Sequence, residues 1–211
     1  MGHDLSRKGQ TVCLVFALTS PVLLIAFNHI GVEVTRQLDS QAAAYVVAVL
    51  AVAGMPGRIL AGSLSDRFGP VNVLIASNVC LAISFLLWMY ADGSLTLYFA
   101  FAALYGASYS SIVVMRPLVI LNLFGRARIN TLTGAVYFIS GPGCLAGAYA
   151  FGWVYDSFGE TYDPALIVAV VLCCASAVTA YSLKNGSQPD SSGNPGMLDA
   201  MPCQRQVRAS N

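Results

Sequence analysis

Charge is absent from six long stretches of this chain. No Asp, Glu, Lys or Arg lies between Lys8 and Glu33, or from Ser40 to Gly57, Phe68 to Ala91, Gly93 to Met115, Ile129 to Tyr155 and Pro164 to Leu183. An α-helix needs about 20 mainly apolar residues to cross the hydrocarbon core of a bilayer, and each stretch is close to that length or longer. The second is the shortest and extends past Arg58 towards Ser63. Apolar residues run continuously instead of alternating, which is wrong for a membrane β-barrel. The expected fold class is therefore an all-α membrane protein. Its helices are expected near 11–32, 42–63, 71–91, 95–124, 131–155 and 163–183. These form one bundle over residues 11–183, preceded by an N-terminal tail at 1–10. Residues 184–211, rich in Gly, Ser, Pro, Asn and Gln, read as a disordered tail.

Composition supports a lipid solvent. The chain is 56% apolar and 10% charged, against about 25% charged in a soluble domain. The formal net charge of +1 comes with no basic stripe, so nucleic acid is not an expected partner. Orientation follows from Lys and Arg. Arg7, Lys8, Arg58, Arg67, Arg126, Arg128 and Lys184 all fall on one side. The opposite loops hold Arg36 with Glu33, Asp39, Asp92, Glu160 and Asp163. The basic bias marks the cytoplasmic side and puts both termini inside. The six cysteines make no CxxC and neither His completes a metal set, so no metal or cofactor is expected. No Walker loop, GxSxG, HExxH or strand-borne GxGxxG is present, which weakens an enzyme reading.

The strongest local signal is the run Gly57-Arg58-Ile-Leu-Ala-Gly62-Ser-Leu-Ser-Asp66-Arg67-Phe-Gly69. Gly57 and Gly62 would let a neighbouring helix approach closely. Asp66 stands just before the third helix, where a carboxylate meets the positive helix end. Arg58 and Arg67 lie within reach of Asp66 in sequence. Gly69-Pro70 makes the reversal and starts the next helix. A short basic loop obeying the positive-inside bias explains Arg67 alone, not the whole spacing.

That segment resembles the loop signature of the major facilitator superfamily, which lies between the second and third helices of a six-helix half. The later run from Gly147 to Tyr162 resembles the end of the eleventh helix in the same family. Phe124-Gly125, a basic loop and Thr133-Gly134 resemble the tenth-to-eleventh connection of its monocarboxylate porters and oxalate/formate-type antiporters. The resemblance covers residues 11–183 and implies a C-terminal six-helix half of the major facilitator fold. It implies a plasma-membrane transporter whose substrate site lies between two bundles, so a second six-helix bundle is an expected partner beside the lipid bilayer. It also implies that Gly57, Arg58, Gly62, Asp66, Arg67 and Gly69 form a cytoplasmic gate.

Arg116 is the most informative single residue. It sits in an apolar run about 12–15 Å from the loop at Arg126, at about 1.5 Å per residue. A charge at the helix centre costs about 2.5–3.5 kcal/mol, so such a residue faces a cavity or a counter-charge. One reading is a guanidinium that pairs with a carboxylate substrate. The other is an Arg that snorkels to the interface or pairs within the fold. Pro117 is expected to kink the helix there. Asn28 and His29 lie near the outer end of the first helix. His29 reads either as a titrating gate for proton-coupled uptake or as an interfacial residue against headgroups. Tyr105, Tyr109 and Tyr137 read as cavity wall or as packing aromatics. Gly141-Pro142-Gly143 is expected to interrupt the fifth helix, and Gly143 with Gly147 forms a small-xxx-small pair.

The function these readings give is secondary transport of a small organic anion, by proton symport or anion exchange. The alternative is a non-transporting membrane protein, either truncated or a regulatory subunit of a full-length transporter.

Overall fold

A computed structural model describes the backbone of residues 2–126, 129–157 and 162–185, and side chains from residue 9 to 183 within these. Arg128, Gly159, Glu160 and the expected tail from 186 onward, with Cys203, lie outside the described residues. Among the described residues there are seven helices: α1 (Gly2–Leu23), α2 (Ile25–Gln37), α3 (Ser40–Phe68), α4 (Pro70–Met89), α5 (Leu95–Phe124), α6 (Ile129–Ser157) and α7 (Asp163–Asn185). Helix α1 starts at Gly2, inside the stretch read from sequence as a tail. Five segments are long and apolar enough to cross a membrane: Gly9–Gln37, Ser40–Phe68, Pro70–Met89, Leu95–Phe124 and Asp163–Leu183. Helix α6 has 29 residues and ample length, but its Gly, Pro, Ser and Tyr positions make it less apolar than those five.

The first span is two helices, not one. Pro21 has no N–H, so the Ala17 carbonyl loses its helical partner. Ser20 Oγ donates to it at 3.0 Å. The chain then turns at Leu24 before α2 begins. Carbonyls at the turn are taken by side chains of α5, α6 and α2 itself. The Tyr105 hydroxyl reaches Leu23 O at 2.6 Å and Val22 O at 3.4 Å, Cys144 Sγ donates to Ser20 O at 3.0 Å, and Asn28 Nδ2 donates to Leu24 O at 3.0 Å. Irregular backbone at membrane depth survives only where such partners exist. The break expected at Gly141-Pro142-Gly143 does not occur: α6 runs through Pro142 without interruption. Its small residues serve close packing instead.

The connections are tight. Asp39 caps α3, its Oδ1 accepting from Ala42 N at 2.6 Å. Gly69 closes α3 with φ +84° and Pro70 opens α4. Such a φ is open to glycine and strained for other residues. Asp92 and Gly93, both at positive φ, turn α4 into α5.

Packing repeats across the bundle. Helix α3 packs on α5 as α6 packs on α1, α4 on α5 as α7 on α1, and α4 and α7 pack on each other. Exchanging the unit α1/α2–α3–α4 with α5–α6–α7 preserves this pattern. Each unit spans the bundle three times, so the second runs inverted, the repeat architecture of many secondary transporters. Both crossings rest on glycine. A Cβ on Gly57 would lie 2.6 Å from Ala107 Cα, and one on Gly106 would meet the Leu50 carbonyl oxygen. On the other side, a Cβ on Gly143 would meet Ser20 Oγ, and one on Gly147 would meet the Pro21 backbone.

The interior is mainly apolar, and the outer surface is apolar too, unlike that of a soluble domain. Large apolar side chains such as Ile59, Phe138, Tyr149 and Val178 face outward, as lipid or a second apolar bundle requires. Thr19, Asn78 and Ser176 are fully buried and satisfy one another. Thr19 Oγ1 contacts Ser176 Oγ at 2.7 Å, Asn78 Oδ1 at 3.2 Å and Val15 O at 2.9 Å. This knot joins α1, α4 and α7.

Candidate functional site: a buried arginine between α5 and α6

Arg116 is 5% exposed on α5, which runs through Pro117 without a break. Its guanidinium lies between two aromatic rings, Phe16 of α1 and Tyr137 of α6, with each centroid 5.4 Å from Cζ. Rings give a cation a favourable face but accept few of its N–H groups. Nε and Nη2 have no hydrogen-bond partner, and no carboxylate lies within 4.0 Å of Arg116 among the described residues. Those two atoms share one edge of the guanidinium, the edge that grips a carboxylate through two parallel hydrogen bonds.

Two further unpartnered polar atoms are Thr133 Oγ1 and Ser140 Oγ, both buried on α6. With Tyr137 they are spaced i, i+4, i+7, so they share the helix face that carries the ring beneath Arg116. A cation with a free fork and unpartnered hydroxyls on the neighbouring helix are the kinds of donor that an anion accepts from. Sequence reasoning singled out Arg116 and Tyr137 but missed Thr133 and Ser140. Their signal was only helical spacing relative to Tyr137, and isolated hydroxyls in an apolar helix are common.

The other expected residues are distributed more widely. Tyr105 is fully buried at the α1–α2 break, stacked on Tyr109 at 6.2 Å, and Phe27 stands edge-on to both at 6.1 and 5.1 Å. Asn28 is spent on the Leu24 carbonyl. His29 packs against Phe151 and Tyr162, which stack on each other. Its Nε2 lies 3.2 Å from Ala148 O and its Nδ1 3.4 Å from the Tyr162 hydroxyl. One neutral tautomer satisfies both, with Nε2–H donating to Ala148 and Nδ1 accepting from Tyr162. The structure therefore brings Arg116 and Tyr137 together and holds His29 against the other end of α6.

In the signature segment, Gly57 seats against Ala107, and its carbonyl accepts from Ser111 Oγ at 3.2 Å. Gly62 faces open space, so it is not the close-contact glycine the sequence suggested. Arg58, Asp66 and Arg67 are all exposed, and no ion pair joins them among the described residues. Adjacent helix positions such as 66 and 67 point in different directions, which is why reach in sequence did not become contact. Gly141 also faces open space.

Residues 11–205 match the family model described as Major Facilitator Superfamily. Curated relatives include an MFS-type transporter of Gibberella moniliformis, 31% identical over 136 residues, covering 64% of this chain and 31% of that protein. A riboflavin transporter of Saccharomyces cerevisiae is 32% identical over 124 residues, covering 58% and 24%. Monocarboxylate transporter 13 of Rattus norvegicus is 32% identical over 147 residues, covering 69% and 34%. The chain spans about a quarter to a third of the length of these relatives. The helices and their inverted packing fit one half-bundle of that fold, and by the match over residues 11–205 this multi-pass membrane protein belongs to the Major Facilitator Superfamily.

Proposed function

We propose that this chain takes part in secondary transport of a small organic anion, with Arg116 as the anchor for a carboxylate. The observation that carries the reading is the free Nε/Nη2 edge of a buried arginine beside Tyr137, with the unpartnered hydroxyls of Thr133 and Ser140 on the helix face that carries that ring. A carboxylate there would complete the guanidinium's hydrogen bonds, and the hydroxyls would donate to its remaining lone pairs. The split first span supports the same reading, because discontinuous helices at membrane depth are where transporters of this architecture build substrate sites.

Movement of the anion requires a second six-helix bundle against which this one can rock. The apolar outward faces of α3 and α6, with Met55, Ile59, Phe138 and Tyr149 exposed, are the surfaces we assign to it. Both termini are placed in the cytoplasm of a plasma-membrane protein, so Arg58, Asp66 and Arg67 face the cytoplasm. Exposed, and joined by no ion pair among the described residues, they are available to a partner bundle as a gate. Proton symport and anion exchange are the coupling modes in view.

Uptake of labelled lactate, formate and oxalate into proteoliposomes holding this chain, alone and with candidate partner bundles, tests the proposal. At least one should accumulate against an empty-liposome control, and Arg116→Lys should abolish that uptake, because lysine cannot present a planar two-point fork. Uptake that Arg116→Lys leaves unchanged removes the assigned role.

A further inference from the structure

At the opposite end of the bundle from Gly69, a cavity of about 350 Å³ opens between the ends of α2 and α4 and the start of α7. Its wall carries Glu33, Asp92 and Asp163, with Arg36 as the cation among them, so acid outweighs base. Trp88, Tyr98 and Tyr162 supply aromatic surface. Glu33 is the notable member. It is 7% exposed, and its two oxygens differ. Oε1 accepts from Gln37 Nε2, and Gln37 in turn accepts from the Tyr98 hydroxyl at 2.9 Å. Oε2 has no hydrogen-bond partner among the described residues. The Arg36 Nε stands 3.9 Å from it, beyond hydrogen-bonding distance. That contact is an ion pair without a hydrogen bond, and the Arg36 guanidinium also reaches α6, donating to the Tyr155 hydroxyl at 2.9 Å with that ring 5.7 Å from its Cζ.

A buried carboxylate hydrogen-bonded on one oxygen, and only distantly ion-paired on the other, has room for a cationic N–H donor. Aromatic walls favour a cation with an apolar stem. We propose that this cavity binds a small organic ammonium group, with Glu33 Oε2 accepting its N–H and Trp88, Tyr98 and Tyr162 enclosing it. The excess of carboxylates disfavours an anion here, so the site differs in ligand sign from the Arg116 site and does not rest on it. A free primary amine and an ethanolamine lipid headgroup share this chemistry.

Tryptophan emission reads the site, because Trp88 lines the cavity and Trp153, the other tryptophan, is exposed on α6. The test uses the full chain carrying Trp153→Phe, in nanodiscs of phosphatidylglycerol alone, titrated with ethanolamine. The expected result is a saturable change in Trp88 emission that ethylene glycol, the neutral counterpart, does not produce. Glu33→Gln should weaken it by about ten- to a hundredfold, the loss of one charge-assisted hydrogen bond. If nanodiscs containing phosphatidylethanolamine raise the ethanolamine concentration needed, the headgroup occupies the site. If they leave it unchanged, the free amine is the ligand. No saturable change, an equal response to ethylene glycol, or undiminished response in Glu33→Gln overturns the proposal.

Discussion

Two alanine substitutions on α6 separate packing from hinge. Gly141 and Gly147 lie on the same helix, either side of Pro142 and Gly143. A Cβ on Gly147 would fall 2.5 Å from Pro21 Cα and 2.6 Å from its carbonyl carbon, whereas one on Gly141 meets nothing within 4 Å. The Gly147 neighbour is backbone, so α1 and α6 must separate by close to 1 Å to restore ordinary contact. Overpacking of that kind costs about 1–3 kcal/mol, and the better helix propensity of alanine offsets about 1 kcal/mol of it. Gly147→Ala should therefore destabilise the bundle by up to about 2 kcal/mol. Gly141→Ala should be neutral or stabilise by up to about 1 kcal/mol. Thermal unfolding in detergent, followed by loss of monodisperse elution, would read these as midpoint shifts of about 2–4 °C per kcal/mol. The midpoint should fall for Gly147→Ala and hold or rise for Gly141→Ala. If both fall together, α6 is not continuous at Gly141 and the close crossing at Pro21 is not what distinguishes the two glycines.

Other consequences are as specific. Tyr105→Phe strips the donor from the Leu23 and Val22 carbonyls and should lower stability by about 1–2 kcal/mol, measured by the same unfolding assay. Thr19→Val and Ser176→Ala break one knot, so the double variant should lose less than the sum of the singles; additive losses would show that the two hydroxyls do not interact. Burial, with Tyr155 and Glu33 nearby, pushes the Tyr162 phenol from its ordinary 10.0 up to about 12. The folded state thus favours the neutral phenol, and the stability this gives is complete below pH 10 and lost as pH rises through about 12. Tyr162→Phe should flatten the alkaline decline in unfolding midpoint.

Much of the architecture is visible before any coordinates. Absence of charge over some 20 residues is a direct report of the solvent a segment needs, and it marked each of the five described segments long and apolar enough to cross a membrane. Arg116 stood out as a charge deep within an expected helix, with apolar residues on both sides. The sequence misled where the outcome depends on distant side chains. Pro21 and Pro142 look alike in sequence, yet the chain turns at Leu24 and continues at Pro142. The difference is that Tyr105, Cys144 and Asn28 are placed to satisfy the carbonyls of the first break. Gly57 and Gly62 are equally small, yet only Gly57 meets a helix, because a five-residue separation turns them to different faces. Thr133 and Ser140 became visible only when α6 presented them to the same side as Tyr137.

Equilibrium binding of radiolabelled oxalate to the purified chain in nanodiscs meets the central claim most directly. Saturable binding is expected, with Arg116→Gln weakening it at least about tenfold through loss of the charged fork. Ser140→Ala, a change too small to disturb the helix, should weaken it measurably. Binding that survives both substitutions undiminished would contradict the claim that Arg116 and the α6 hydroxyls form an anion site.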